Sequence, residues 1–284
     1  MHRAVRTIIT LTGALALSAA PARPITNGEP DGDRHPGVGV LYYRVVRPDF
    51  AVNFRFCSGA LIADDVFVSA AHCFGGSGFP LNLWISFDPV FTQVESPNDP
   101  PADPLPNEPR VRVRQVVQHP AFSHGSPGLD PSDTDVAVLL LDLSSAVGSL
   151  PAPSRLPAAG FLDGLSGKHG LGGRTFTAVG YGLADRIVGG GPPYFEDPLE
   201  RRVSVSEFLA LGPAYLVLSM NPSTGDGGTC FGDSGGPNYF DDTDVIAGIT
   251  ITGDAVCRAT NVIYRLDTEE ARSFLETIPQ LDLP

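Results

Sequence analysis

The chain has 284 residues, with 32 acidic against 19 basic side chains, a formal charge of −13 and 42% hydrophobic residues. So acidic a surface repels phosphate backbones and anionic lipid, which argues against nucleic acid or membrane surfaces as partners. The apolar share is enough for a substantial core, in one domain or two closely packed halves.

At the amino end, Arg3 and Arg6 precede a mostly apolar run from Thr7 to Leu17, and Ala20-Pro21-Ala22 is a small-x-small cleavage site. This is the pattern of an export signal over residues 1–22, with an apolar run too short to span a bilayer. Its removal takes away two arginines and no acids, leaving 17 basic and 32 acidic side chains and a formal −15. The expected protein is secreted, extracellular or periplasmic, with no membrane attachment after signal removal.

Beyond the signal, short apolar stretches alternate with Gly/Pro/Asp turns: Val38 to Val46, Phe54 to Leu61, Val66 to Ala70 and Leu83 to Phe87. Ser96 to Pro109 holds six prolines and three acids, so it cannot be a strand interior and reads as an exposed loop. Arg110-Val111-Arg112-Val113-Arg114 has the period-two alternation of a half-exposed strand, and Val136 to Leu141 the continuous apolar run of a buried one. After the turn-rich Ser144 to Gly160 come Thr175 to Tyr181, the flexible Gly189-Gly190-Gly191-Pro192-Pro193, Arg201 to Phe208, Tyr215 to Met220, Val245 to Ile251 and Asn261 to Arg265. About a dozen strands in two groups, divided near residue 150, predict an all-β protein of two barrels. Asp241-Asp242-Thr243-Asp244 fits a hairpin tip better than a calcium loop. One helix is predicted over 267–278, with Asp267 as cap, Glu270 completing a capping box, and an apolar stripe of Ala271, Phe274, Leu275 and Ile278.

Cys57, Cys73, Cys230 and Cys257 in an exported chain indicate two disulfides, with three possible pairings. The local pairing, Cys57–Cys73 and Cys230–Cys257, would close loops of 16 and 27 residues, each worth about 3 to 3.5 kcal/mol in the chain-entropy model. His72 beside Cys73 raises zinc as a rival. No CxxC pair or second histidine at ligand spacing accompanies it, so no metal is expected.

Gly232-Asp233-Ser234-Gly235-Gly236-Pro237 sets a serine among glycines, which let the backbone turn tightly and aim its N–H groups at whatever approaches the hydroxyl. Such a serine needs a base and an orienting acid elsewhere, and its chemistry requires no cofactor. The motif also satisfies the nucleophile elbow of α/β-hydrolases, but that fold needs a histidine after the serine. The six histidines, at 2, 35, 72, 119, 124 and 169, all precede Ser234. A subtilisin-like order through Asp64 or Asp65 would require alternating helices and strands, which are lacking. The order histidine, aspartate, serine fits His72, Asp135 and Ser234, with Asp133 and the more distant Asp130 as rival acids. His119, His124 and His169 are assigned to loops and surface.

Ile25-Thr26-Asn27-Gly28, Cys57 to Ile62, Ser69-Ala70-Ala71-His72-Cys73, His119-Pro120, Asp135 to Leu140, Gly180-Tyr181-Gly182 and Gly232 to Pro237 occur in that order. Together they resemble the trypsin/chymotrypsin-like serine peptidases over nearly the whole mature chain. The resemblance implies two six-stranded antiparallel barrels, about 25–148 and 149–265, then the terminal helix, in a peptidase domain of residues 25–284. It implies that His72 is the base, Asp135 its orienting acid, Ser234 the nucleophile, and the N–H groups of Gly232 and Ser234 the oxyanion hole. It also implies that the freed amine of Ile25 pairs with Asp233. The family's activation site ends in Arg or Lys, whereas Pro24 precedes Ile25 here; a two-residue propeptide, residues 23–24, removed by another peptidase is the expectation.

The family's specificity pocket maps onto Gly228 and Thr229, with Thr252 and Gly253 opposite and Val262 where a glycine often keeps the pocket open. Asp226 lies two residues off register. An uncharged base and a branched wall imply small or medium apolar side chains before the cut. Polypeptide substrates, protein inhibitors and a monomeric state are the implied partners and assembly. The competing functions are a peptidase-like binding protein without catalysis, which usually shows a replaced triad residue, and a serine esterase on the same fold.

Overall fold

The computed structural model describes residues 25–46, 51–75, 82–93, 109–123, 134–167, 170–189 and 191–284. The export signal, Arg23-Pro24, nearly all of the proline-rich loop, Asp130, Asp133, His124, His169 and Gly190 lie outside the described residues.

After the two-residue β1 (Glu29–Pro30), six strands form the first barrel: β2 (Val38–Val46), β3 (Ala51–Ala63), β4 (Val66–Ser69), β5 (Leu83–Ser86), β6 (Arg110–Gln118) and β7 (Ala137–Val147). Every pairing is antiparallel and the ring closes in the order β2-β3-β4-β7-β6-β5. Closure leaves no bare edge, and the alternate residues that point inward make the core. In β6, Val111 and Val113 are buried while Arg112 and Arg114 face solvent, as the alternation predicts; Arg110 departs from it and is buried at the strand's start.

The second barrel comprises β8 (Thr175–Gly180), β11 (Arg202–Leu211), β12 (Tyr215–Ser219), β13 (Pro237–Phe240), β14 (Ile246–Gly253) and β15 (Thr260–Arg265). Its order is β11-β12-β15-β14-β13-β8, closed by β8 against β11, and β1 adds to β11. A small hairpin, β9 (Arg186–Ile187) with β10 (Tyr194–Phe195), carries the Gly/Pro connection. The tip between β13 and β14 is the acidic turn: Asp241 pairs with Arg174 at 2.9 Å and Asp244 with Arg155 at 2.5 Å.

The described residues include two short α-helices, α1 (Phe161–Leu165) and α2 (Glu269–Leu275). The second corrects the expected helix over 267–278 and its cap. Thr268, not Asp267, is the cap, its hydroxyl accepting from the Ala271 N–H at 3.2 Å. The Asp267 carboxylate is drawn away by the buried Arg265 at 2.9 Å and accepts the Leu162 N–H of α1 at 2.7 Å. The apolar stripe does pack as predicted: Ala271, Phe274, Leu275 and Ile278 are all buried, in the same core as first-barrel residues. His119 belongs to that contact rather than to the surface. It is buried, 4.9 Å from the Phe274 ring and 3.4 Å from Glu270.

Arg201 knots the two barrels together. Its Nε donates to Asp31 at 2.7 Å, one Nη to the carbonyls of Val38 (3.2 Å) and Phe87 (3.0 Å) and the Tyr181 hydroxyl (3.2 Å), and the other Nη to Gly32 at 2.5 Å. A guanidinium buried with a carboxylate holds only while both partners are present. Arg201→Met would leave buried Asp31 with His35 at 2.5 Å and the exposed Arg34 at 3.9 Å as ionisable neighbours. The expected loss of unfolding free energy is about 3–5 kcal/mol, and adding Asp31→Asn should recover part of it. Urea titrations of the two variants check this, and a loss below about 1 kcal/mol for Arg201→Met would refute the assignment.

Candidate active site

His72 sits in a 3-10 turn, Ala71–Phe74, directly after β4. The turn is steadied by the Gln118 side-chain amide, which donates to the Ala71 carbonyl at 2.8 Å. Asp135 precedes β7 and is 2% exposed. Both its oxygens meet His72: one accepts the backbone N–H at 2.8 Å and the other faces the ring Nδ1 at 2.6 Å. With the carboxylate on Nδ1, the proton of the neutral ring is held there, and Nε2 is left with a free lone pair.

Ser234 belongs to the tight turn before β13. Its carbonyl accepts the N–H of Ser58, from β3 of the first barrel, at 2.9 Å. The Ser58 hydroxyl donates to the Gly232 carbonyl at 3.0 Å and accepts the Tyr181 N–H at 3.0 Å. The Ser58 carbonyl accepts the Ser69 hydroxyl at 2.8 Å. Gly235 is needed for this approach: at φ +81°, any Cβ would come within 2.5 Å of the Ser58 carbonyl oxygen and 2.6 Å of the Ala70 nitrogen. The disulfide Cys57–Cys73 ties β3 to the histidine turn, and its Cys73 Sγ is 3.9 Å from the Ser234 carbonyl oxygen. A ring nitrogen of His72 lies within 4.8 Å of both sulfurs, but as a disulfide they offer no thiolate to a metal. Cys230–Cys257 is the second disulfide, so the local pairing is the one formed.

Neighbouring amides of the serine turn are spoken for: Asp233 N–H to the Cys230 carbonyl (3.0 Å), Gly235 N–H to Thr250 (2.7 Å) and Gly236 N–H to Asp233 (2.8 Å). The N–H groups of Gly232, at φ +97°, and Ser234 have no hydrogen-bond partner among the described residues, and neither has the half-buried Ser234 hydroxyl. Two unpaired donors flanking a hydroxyl form a cradle for an oxyanion.

Asp233 is fully buried beneath this turn. Burial drives its pKa up to about 6, although the Cys230 N–H (2.8 Å), the Gly182 N–H (2.7 Å) and the charge of Arg55 all pull the other way. Arg55, two residues before Cys57, itself bonds to the Tyr181 carbonyl and the Asp197 carboxylate. Ile25 is wholly buried at φ +41°, a left-handed conformation that a β-branched residue rarely adopts. It is followed by Thr26, whose carbonyl accepts the Gly228 N–H at 3.0 Å. With Pro24 before it, Ile25 carries a peptide nitrogen rather than an amine.

The sequence-derived pocket residues share one neighbourhood. Thr252 and Gly253 pair with Val262 and Asn261 across β14 and β15. The Thr229 hydroxyl donates to Asn261 at 2.9 Å. Asp226 is not presented there as a counter-charge; its carboxylate accepts the Thr224 hydroxyl at 2.8 Å within its own loop. Asp254 organises the loop to Cys257. Burial raises its pKa, but the N–H groups of Thr260, Ala259, Arg258 and Val256 outweigh that and the net shift is downward. Sequence reasoning missed Ser58, Arg55 and Met220, the residue covering Gly228. The one sequence signal that could have found Ser58 was its position beside Cys57 in the histidine region.

A family model described as Trypsin matches residues 43–269. Kallikrein 1-related peptidase b27 of Mus musculus is 24% identical over 225 residues, covering 74% of this chain and 74% of that protein. Brachyurin of Leptuca pugilator is 29% identical over 233 residues, 77% of this chain and 88% of its own length. Among solved structures, neuropsin, a serine protease expressed in the limbic system of mouse brain, has the same fold. It aligns with a TM-score of 0.57 at 17% identity, over 89% of this chain and all of that one.

The buried carboxylate predicts a pH signature. The pKa of Asp233 is raised from the ordinary 3.8 to about 6, so its protonated form is favoured in the folded protein. Its contribution to stability is present below the unfolded value and lost as pH rises through about 6. In unprocessed Ser234→Ala protein, which cannot digest itself, the form with Asp233 should lose on the order of 3 kcal/mol more between about pH 4 and pH 7 than the one with Asp233→Asn. Denaturation at a series of pH values reads the difference; parallel curves for the two would contradict the burial argument.

Proposed function

The chain belongs to the trypsin family of serine peptidases, and we propose that it is a secreted endopeptidase that cuts polypeptides through His72, Asp135 and Ser234. The observation that carries this reading is the pair of contacts from Asp135 to His72, at 2.8 and 2.6 Å, beside a serine turn stapled to the same barrel by Ser58.

In this mechanism the free Nε2 of His72 takes the proton of Ser234 as the oxygen attacks the peptide carbonyl, then returns it to the departing amine. Asp135 keeps the ring in the required tautomer and stabilises the imidazolium as it forms. The unpaired N–H groups of Gly232 and Ser234 receive the charge that develops on the carbonyl oxygen, where each such donor is worth about 2.7–4 kcal/mol. Water then hydrolyses the acyl-enzyme by the same proton relay. No cofactor enters any step.

Activation is proposed to occur between Pro24 and Ile25, making residues 25–284 the mature peptidase. The left-handed φ of Ile25 supports this site, because cutting the preceding bond abolishes that torsion and its cost of about 1–3 kcal/mol. The amine so released would give Asp233 a second positive neighbour after Arg55. Secretion through the signal at 1–22, a monomeric state and susceptibility to protein inhibitors complete the reading. No helix among the described residues is long and apolar enough to cross a membrane. The uncharged surroundings of Gly228 support a non-basic residue before the cut.

A fluorophosphonate should label Ser234 stoichiometrically in the processed protein, and Ser234→Ala should abolish the label and peptide cleavage. Asp135→Asn should retain the fold and lower kcat by about 10^4-fold. Absence of labelling would favour a binding protein without catalysis, and turnover of esters without amides an esterase. Amino-terminal sequencing of the active enzyme should begin at Ile25; a start at Arg23 would overturn the activation site.

A further inference from the structure

We infer that Met220 forms the floor of the side-chain pocket beside Ser234 and limits the enzyme to small apolar residues on the acyl side of the cut. The inference rests on the peptidase reading above.

Sequence counting puts Gly228 at the base of the pocket, where a residue without a side chain would leave depth. The structure fills that depth with the residue that follows β12. A Cβ on Gly228 would lie 2.7 Å from the Sδ of Met220 and 3.1 Å from its Cε, with Cγ nearer still. Met220 directly follows β12, is wholly buried, and donates its N–H to the Ala259 carbonyl at 2.9 Å. It packs in one apolar cluster with the Cys230–Cys257 disulfide, the covalent link between the segment leading to Ser234 and the loop after β14. Its side chain therefore adjoins both the glycine and the disulfide.

The surrounding polar groups offer a substrate side chain little to bind. Thr229 donates to Asn261, Asn261 to Asn238 at 2.9 Å, and Asn238 to Thr250 at 3.0 Å, all four residues being buried. Their hydrogen-bonding capacity is spent largely on one another, and no charge stands among them. Val262, 5% exposed, adds a branched wall. A methionine can change rotamer, so larger residues meet a graded penalty rather than an absolute bar.

The test uses processed wild-type enzyme and Met220→Ala, each standardised by fluorophosphonate labelling, with peptides that differ only in Ala, Leu or Phe before the cut. Wild type should show kcat/KM falling about tenfold or more from Ala to Leu, and further to Phe. Met220→Ala should raise the Leu-to-Ala ratio by about ten- to a hundredfold. A labelled wild-type enzyme that favours Leu or Phe, or a labelled variant whose ratio does not move, overturns the inference while leaving the peptidase reading intact. If the variant does not fold, peptidyl boronic acids on wild type decide: tighter inhibition by the Ala than by the Phe compound supports the floor, and the reverse order overturns it. Failure of wild type to label sinks the peptidase reading and this inference together.

Discussion

One residue, Ser58, holds the candidate site together. Every polar group it owns crosses or braces the junction between the barrels: its N–H reaches the Ser234 carbonyl, its hydroxyl joins the Gly232 carbonyl and the Tyr181 N–H, and its carbonyl accepts Ser69. The serine turn belongs to the second barrel, whereas His72 and Asp135 belong to the first. A peptide-scale staple between them fixes the turn against the histidine segment, and Gly235 removes the side chain that would keep them apart. Reactions that depend on mutual orientation lose much of their rate with small displacements, so this staple matters more than its hydrogen-bond energy suggests.

Three buried carboxylates around this junction are satisfied in three ways. Asp31 meets a guanidinium and an imidazole, and so serves cohesion. Among the described residues, Asp135 hydrogen-bonds to His72 alone, through the backbone and the ring, and so fixes the direction of one side chain. Asp233 meets two peptide N–H groups, with Arg55 nearby, and burial still dominates its titration. A carboxylate left with that much unrelieved desolvation is poised to gain from another positive charge. That is the physical basis for the proposed role of a freed Ile25 amine. The proposed substrate pocket follows the opposite rule: its polar side chains bond to each other, the nearby acids Asp226 and Asp254 are turned to their own loops, and a thioether covers the glycine.

Much of this was legible in the residues. Alternation in β6, the apolar run of β7 and the turn-divided strands on either side of residue 150 predicted two barrels, because strand faces and turn chemistry are local properties. The order of His72, Asp135 and Ser234 separated this chain from rival hydrolase folds without any coordinates. Local rules failed where a distant partner intervened. Asp267 has the right spacing to cap α2, but Arg265 and α1 claim its carboxylate and leave the task to Thr268. His119 has the sequence setting of a loop residue, yet α2 covers it.

What the sequence determined by itself was therefore the class of fold, the cysteine content and which groups are candidates for the reaction, since these rest on periodicity, composition and chemical type. Which side chains brace those groups, which cysteines pair and what fills the space over Gly228 were decided only in three dimensions. Ser58 and Ser234 are separated by most of the chain, and Met220 reaches Gly228 from the end of a neighbouring strand. Contacts of that kind depend on how two barrels pack and how strands align, and no local pattern encodes the distance between residues so far apart along the backbone.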